Sequence, residues 1–229
     1  MKILVIAAHP DDEILGCGGT IAKHIKNKDK VKTLILGEGI TSRQPKRNLN
    51  LSKNKLEKLK KISIQANKKI GMKDLVHHNL PDNRFDSLEF LDIVKILEKE
   101  IFKFKPNIIY THSSYDLNID HKIISKATIT ASRPQNNKFL KKILLFEIPS
   151  SSEWQSSELE NFKPNYFIDI SKTIKKKIDA LKIYKNEMKK WPHPRSVRAV
   201  KMLSNLRGAQ IGCNAAEAFY LARQIDFEK

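Results

Sequence analysis

With 229 residues, 40% hydrophobic and 30% charged, the chain is long enough to bury a core as one α/β domain spanning 1–229. No apolar run approaches the ~18 residues that cross a bilayer. Cys17 and Cys213 alone exclude a disulfide framework or a cysteine-based zinc site and suit a reducing cytoplasm. The net charge of +18 fits a phosphate-bearing partner, yet only 8 of the 43 basic residues are Arg, which speaks against sequence-specific nucleic-acid recognition. The lysines decorate helix faces such as Lys53 to Lys61 and Lys172 to Lys177, and because the excess is Lys rather than Arg, compositional drift is the favoured account of them.

Ile3 to Ala7 form a continuous apolar run, the pattern of a strand buried on both faces, without the flanks of a secretory signal. Ile14, Leu15, Ile21, Ala22 and Ile25 then recur at helical spacing behind an acidic opening, predicting a helix over Ile14–Lys26. Val31 to Leu36 read as a strand, ended by Gly37 and Gly39, with a long loop to about Asn50. Ser52 to Ile70 read as a helix stopped by Gly71, Leu75 to Asn79 as a short strand, and Leu80-Pro81-Asp82 as the start of a loop. A helix over Leu88–Phe104 is stopped by Pro106. A strand over Asn107–Thr111 leads through a polar loop into a helix near His121. Ile143–Phe146 and Tyr166–Ile170 are later strands flanking the Ser-rich stretch Ser150 to Ser157. Helices over Ser171–Lys189 and Ser196–Arg207 follow, with a last helical segment after Asn214. The alternation of strand and helix predicts a mostly parallel sheet covered by helices on both faces, with ligands gathered at the carboxyl ends of its strands.

Two loops at that edge carry unusual chemistry. His9-Pro10-Asp11-Asp12-Glu13 places an imidazole and three carboxylates at the exit of the first strand, where a purely structural role is costly. Nitrogen and carboxylate oxygen suit zinc or a similar divalent ion. A lone Asp here would read as a helix cap; the cluster does not. Gly16, Gly18 and Gly19 lack the spacing of a dinucleotide loop and follow an acidic block that repels pyrophosphate, so close helix–strand packing is their expected role. The second loop, Asp116-Leu117-Asn118-Ile119-Asp120-His121, offers His121 as a third ligand and Asp120 as a carboxylate that orients a ligand, with His112 as a competitor for the metal.

Ala8-His9-Pro10-Asp11-Asp12-Glu13, the Gly-Gly-Thr ending at Thr20, Asp120-His121 and Arg207-Gly208-Ala209-Gln210 with Ala216-Glu217-Ala218-Phe219 together resemble the LmbE-like (PIG-L) N-acetylglucosaminyl deacetylases, from residue 1 to about 222. The resemblance implies a Rossmann-like sheet, a Zn2+ ion held by His9, Asp12 and His121, and Asp11 as general base. It also implies a substrate in which an acetyl group leaves the nitrogen of an amino sugar, free or nucleotide- or lipid-linked. Two imidazoles and a carboxylate also hold Fe2+ or Co2+. Another N-acylated small molecule is the alternative substrate, and a basic nucleic-acid binder with a structural acidic cluster is the alternative class. Oligomeric state, a homo-oligomer included, is left open.

Many relatives carry a His three positions before the metal-binding His, where this chain has Asn118, which donates a hydrogen bond but supplies no proton. His193, in Trp191-Pro192-His193-Pro194-Arg195-Ser196, is the expected replacement as acid or oxyanion donor, with Arg195 on a phosphate or sugar hydroxyl; a plain helix-start turn is the alternative. Arg84 in Leu80–Asp86 is a substrate contact or a brace on Asp82 or Asp86. Arg43, in the loop after the second strand, belongs to a segment placed like a lid. Trp154 stacks on a sugar ring or anchors its loop.

Overall fold

The computed structural model describes residues 1–156 and 161–228, so Ser157, at the end of the Ser-rich stretch, lies outside the described residues. Seven strands, β1 (Lys2–Ala7), β2 (Lys30–Gly37), β3 (Asp74–Leu80), β4 (Ile108–His112), β5 (Lys142–Phe146), β6 (Tyr166–Asp169) and β7 (Ala216–Gln224), form one sheet in the order β3-β2-β1-β4-β5-β7-β6. Strands β1 to β5 pair in parallel, and β7 runs antiparallel to both β5 and β6. The helices are α1 (Asp12–Lys26), α2 (Leu49–Ile70), α3 (Phe90–Phe104), α4 (Ile119–Ala131), α5 (Ile174–Leu181) and α6 (Val197–Ala209). The result is the expected α/β, Rossmann-like architecture. Among the described residues no helix is long and apolar enough to cross a membrane.

Strand β1 shows why the sheet needs helices on both sides. Side chains alternate across a strand, and Ile3 and Val5 join the core that includes residues of α1, α2 and α5, while Leu4 and Ile6 join that of α3 and α4. All four are fully buried; burial of each contributes about 1.5–3 kcal/mol. The chain runs outward from β1 through β2 to β3, then returns to place β4 on the other side of β1. The gap between the carboxyl ends of β1 and β4 is therefore the point where the winding reverses, and the loops that follow them border a crevice.

Helix α1 is fitted tightly against the sheet. A Cβ on Gly16 would lie 2.4 Å from Cδ2 of Phe146, so the packing role expected of this glycine holds. The helix breaks at Cys17 (φ −145°). Glu217 accepts the N–H groups of Gly19 (2.9 Å) and Thr20 (2.7 Å) just beyond the break. Lys177 pairs with Glu217 at 2.6 Å and donates to the Leu15 carbonyl at 2.8 Å, which satisfies a buried ammonium and a buried carboxylate together.

Two expectations about the carboxyl-terminal third are corrected. Helix α5 ends at Leu181 rather than Lys189, and turns carry the chain onward, burying Tyr184. The segment after Asn214 is strand β7, not a helix: its Ala, Glu, Leu and Arg favour helix locally, but pairing with β5 and β6 overrides that preference.

Candidate metal centre and catalytic cleft

His9 leaves the end of β1, Asp12 opens α1, and His121 lies in the first turn of α4, just after β4. Their ligand atoms all fall within 4.8 Å of one another. Asp12 Oδ2 is the hub, 3.3 Å from His9 Nδ1 and 3.2 Å from His121 Nε2. It also accepts the backbone N–H of His9 at 2.9 Å, which closes the tight turn between them.

Each imidazole meets a carboxylate at its other nitrogen. His9 Nε2 is 2.9 Å from Asp120 Oδ2, and His121 Nδ1 is 3.1 Å from Asp116 Oδ1, an ion-pair approach without hydrogen-bond alignment. These carboxylates are anchored in turn. Asp120 accepts the N–H groups of Asn83 (2.7 Å) and Phe85 (3.0 Å), while Asp116 accepts from the Ser151 hydroxyl, the Ser152 hydroxyl (2.7 Å) and the Asn118 N–H (2.9 Å). Carboxylate-oriented imidazoles are the usual support of a metal site.

The donor set fits a divalent cation. Asp12 Oδ1 and His121 Nε2 are buried and lack hydrogen-bond partners among the described residues. Burial opposes charging His9, but Asp12 and Asp120 overcome it and lift its pKa to about 10. His121 rises to about 9 against its own burial through Asp12 and Asp116. Burial likewise opposes ionisation of Asp12, yet His121 and His9 hold it well below the usual carboxylate range. The cluster thus draws positive charge, and two nitrogens with a carboxylate oxygen meet the preference of zinc. A second grouping, His9 with Asp82 and Asp120, is also close enough. Asp82 and Asp120 are already engaged, however, by Ser42 (N–H 3.1 Å, hydroxyl 2.6 Å) and by Asn83 and Phe85. His112 is not in either grouping: its Nε2 accepts the Ala8 N–H at 2.8 Å and its ring stacks on His121, centroids 4.0 Å apart.

Asp11 sits beside the cluster with its backbone at φ 111°, a left-handed conformation that costs a non-glycine residue about 1–3 kcal/mol. Glu13 Oε2 holds its N–H at 3.0 Å, and Glu13 Oε1 is held by Asn67 (2.7 Å) and the Tyr184 hydroxyl (3.0 Å). Arg195 Nη1 meets Asp11 Oδ2 at 3.1 Å, while its Nε donates to the Ser150 hydroxyl at 2.7 Å. Burial pushes the Asp11 carboxyl above its usual range, and Arg195 opposes that rise.

The other expected residues fall in different places. Asn118 is the N-cap of α4, with its carbonyl on the Asp120 N–H (2.9 Å) and its amide on Asn83 Oδ1 (2.7 Å). Arg195 points inward to Asp11. His193 Nδ1 accepts the Arg195 N–H at 3.0 Å, and its ring packs edge-on to Trp154, centroids 5.7 Å apart. The helix-start reading also holds in part, since Ser196 caps α6 through the Ala199 N–H at 3.0 Å. Arg43 pairs with Glu187 at 2.6 Å. Arg84 makes neither expected brace: no ion pair to Asp82 or Asp86 forms among the described residues, and its Nε is buried without a partner. Asp82, Asp116 and Glu13 join the site as carboxylates without an expected role of their own: Asp82 approaches His9, Asp116 approaches His121, and Glu13 holds the Asp11 backbone.

Residues 4–132 match the PIG-L family, described as GlcNAc-PI de-N-acetylase. The chain is 28% identical over 173 residues to the uncharacterized deacetylase YaiS of Escherichia coli K12, covering 72% of this chain and 84% of that protein. It is 29% identical over 196 residues to the diacetylchitobiose deacetylase of Thermococcus kodakarensis, covering 81% and 70%. The fold resembles that of N,N'-diacetylchitobiose deacetylase from Pyrococcus horikoshii, with a TM-score of 0.75 at 20% identity over 96% of this chain and 83% of that one.

Proposed function

The chain belongs to the PIG-L family of GlcNAc-PI de-N-acetylases, and from that premise we propose that it is a zinc-dependent hydrolase removing the N-acetyl group of an amino sugar. The observation that carries this reading is the convergence of His9, Asp12 and His121 at the reversal point of the sheet, with the Asp11 carboxylate beside them. The diacetylchitobiose deacetylase relative supports a carbohydrate substrate.

His9, Asp12 and His121 would hold a divalent ion, whose chemistry there would be to act as a Lewis acid toward the acetamide carbonyl and to lower the pKa of a nearby water. Asp11 takes that water's proton. Its Oδ2 is engaged by Arg195, so Oδ1 is the atom that receives it. Attack of the hydroxide on the carbonyl carbon gives a tetrahedral oxyanion, and the C–N bond then breaks as the nitrogen gains a proton, leaving acetate and the free amine. Asp11 is the group placed to hand its proton to that nitrogen. His193 is the oxyanion donor: with Nδ1 accepting the Arg195 N–H, its hydrogen is on Nε2, free to donate. Asn118, occupied at both ends as a helix cap, does not take part directly.

Acetate release from N,N'-diacetylchitobiose and from free and conjugated N-acetylglucosamine, with and without a chelator, tests the reading. Turnover that a chelator abolishes and zinc restores is expected. No acetate from any of these substrates by zinc-loaded protein would overturn it. His193→Ala should lower turnover by about 10²–10³-fold while zinc content stays that of the wild type, and near-wild-type turnover would remove His193 from the mechanism.

A further inference from the structure

Asp11 is the N-cap of α1, and an Asp in that position ordinarily keeps an extended backbone and turns its side chain back onto the free N–H groups of the first turn. Asp11 does neither. Its backbone is left-handed (φ 111°, ψ −28°), and its side chain makes no cap hydrogen bond. The Asp11 carbonyl oxygen takes the Ile14 and Leu15 N–H groups instead, at 3.0 and 2.9 Å. Released from capping, the carboxylate stands beside Asp12 and meets Arg195 Nη1.

A left-handed backbone is unfavourable for a residue with a side chain and persists only where its surroundings hold it. The Asp11 N–H donates to Glu13 Oε2 at 3.0 Å. Glu13 is itself fixed from two distant parts of the chain. Asn67 of α2 donates to its Oε1 at 2.7 Å, and the Tyr184 hydroxyl, from the turns after α5, donates to the same atom at 3.0 Å. The Asn67 amide also donates to the Ser63 carbonyl at 3.0 Å, which sets its direction. Glu13, Asn67 and Tyr184 are all buried. A buried carboxyl group is costly unless its oxygens are engaged, and an apolar side chain would fill the same space without that cost. What an apolar side chain would not do is hold the Asp11 N–H.

We propose that Glu13 is a positioning residue for the general base: with Asn67 and Tyr184 behind it, it locks the left-handed turn at Asp11 and so keeps the Asp11 carboxylate aimed at the water it deprotonates. This deepens the deacetylase reading and rests on it. Asp11, Asp12 and Glu13 then divide three tasks among consecutive carboxylates, as base, metal ligand and clamp. Without the clamp, Asp11 relaxes to the extended backbone of an ordinary N-cap, and its carboxylate turns onto the first N–H groups of α1. Misplacing a reacting group by about 1 Å costs on the order of 10²-fold in rate. The Glu13 side chain bonds none of His9, Asp12 and His121, so metal binding does not depend on it.

Two measurements on the full chain test the clamp. The first is acetate release from N,N'-diacetylchitobiose by zinc-loaded protein. Glu13→Ala should lower kcat about 10²-fold while KM and zinc content stay those of the wild type. Tyr184→Phe removes one donor and leaves Glu13 in place, so its kcat should fall by only about three- to tenfold. In an Asp11→Ala background neither change should lower the residual kcat further, because no base is left to aim; damage to the fold would lower it in both backgrounds. The second measurement needs neither metal nor turnover. Exchange of the Asp11 amide proton, followed by NMR on the chelator-treated chain, should quicken at least about tenfold in Glu13→Ala and by a smaller factor in Tyr184→Phe. If Glu13→Ala does not fold, Tyr184→Phe alone decides both measurements. Losses that add to that of Asp11→Ala, a change confined to KM or zinc content, or unaltered exchange at Asp11 would overturn the clamp. Quickened exchange in a chain whose wild type releases no acetate would retain the clamp on the Asp11 backbone and sink the deacetylase reading, so the two failures are distinct.

Discussion

Arg195→Ala removes the only cation in direct contact with Asp11 among the described residues. The Asp11 carboxylate is 2% exposed, and the Arg195 side chain is 22% exposed. Removing one member of a buried pair costs about 3–5 kcal/mol, and the partial exposure of Arg195 lowers the expectation to about 2–4 kcal/mol. The stranded charge, rather than lost packing, should dominate, so Asp11→Asn in the same chain should recover about 2 kcal/mol of that loss. Urea unfolding of the wild type, the two single variants and the double variant, each with zinc and with chelator, measures the coupling. Strict additivity of the single variants to within about 0.5 kcal/mol would refute the pairing. Activity gives an independent reading. Burial already raises the Asp11 carboxyl and Arg195 holds it down. Without Arg195 the carboxyl rises further, and the acid limb of the rate–pH profile should move upward.

Asp116→Asn keeps the shape of the group that faces His121 but removes its charge, and should weaken zinc binding by about 10–100-fold in chelator competition; unchanged affinity would reduce Asp116 to a loop anchor for Ser151 and Ser152. His77, whose Nε2 meets the Ser63 hydroxyl at 3.0 Å, has a pKa lowered to about 4, first by burial and then by Lys60 and His78. A folded value below the unfolded one means that this contribution is intact above about pH 6.5 and lost as pH falls toward about 4. With allowance for its partial exposure the loss is about 1 kcal/mol, and His77→Gln should flatten that part of the stability–pH curve. Lys177→Met leaves Glu217 buried without its cation and should lower Tm by about 10 °C. Adding Glu217→Gln should restore part of that fall, and calorimetry that finds no recovery would show that the two charges are not coupled.

What could be read from the chain depended on how local the cause was. Strand β1 is legible because its burial on both faces leaves an unbroken apolar run, and α1 because Ile14, Leu15, Ile21 and Ala22 recur at helical spacing. Strand β7 is not, because its residues favour helix and only partners far along the chain make it a strand. The end of α5 was hidden for a related reason: Tyr184 and Met188 continue the helical spacing of apolar residues beyond Leu181, although the chain has already turned. His9, Asp12 and His121 stand out because a His and adjacent carboxylates at a strand exit have few structural uses. Asp82 and Asp116 do not stand out, since an Asp in a turn is ordinarily a cap. Only their approach to imidazoles from other loops reveals their place at the centre. The inward turn of Arg195 onto Asp11 spans 184 positions and leaves no trace in local pattern.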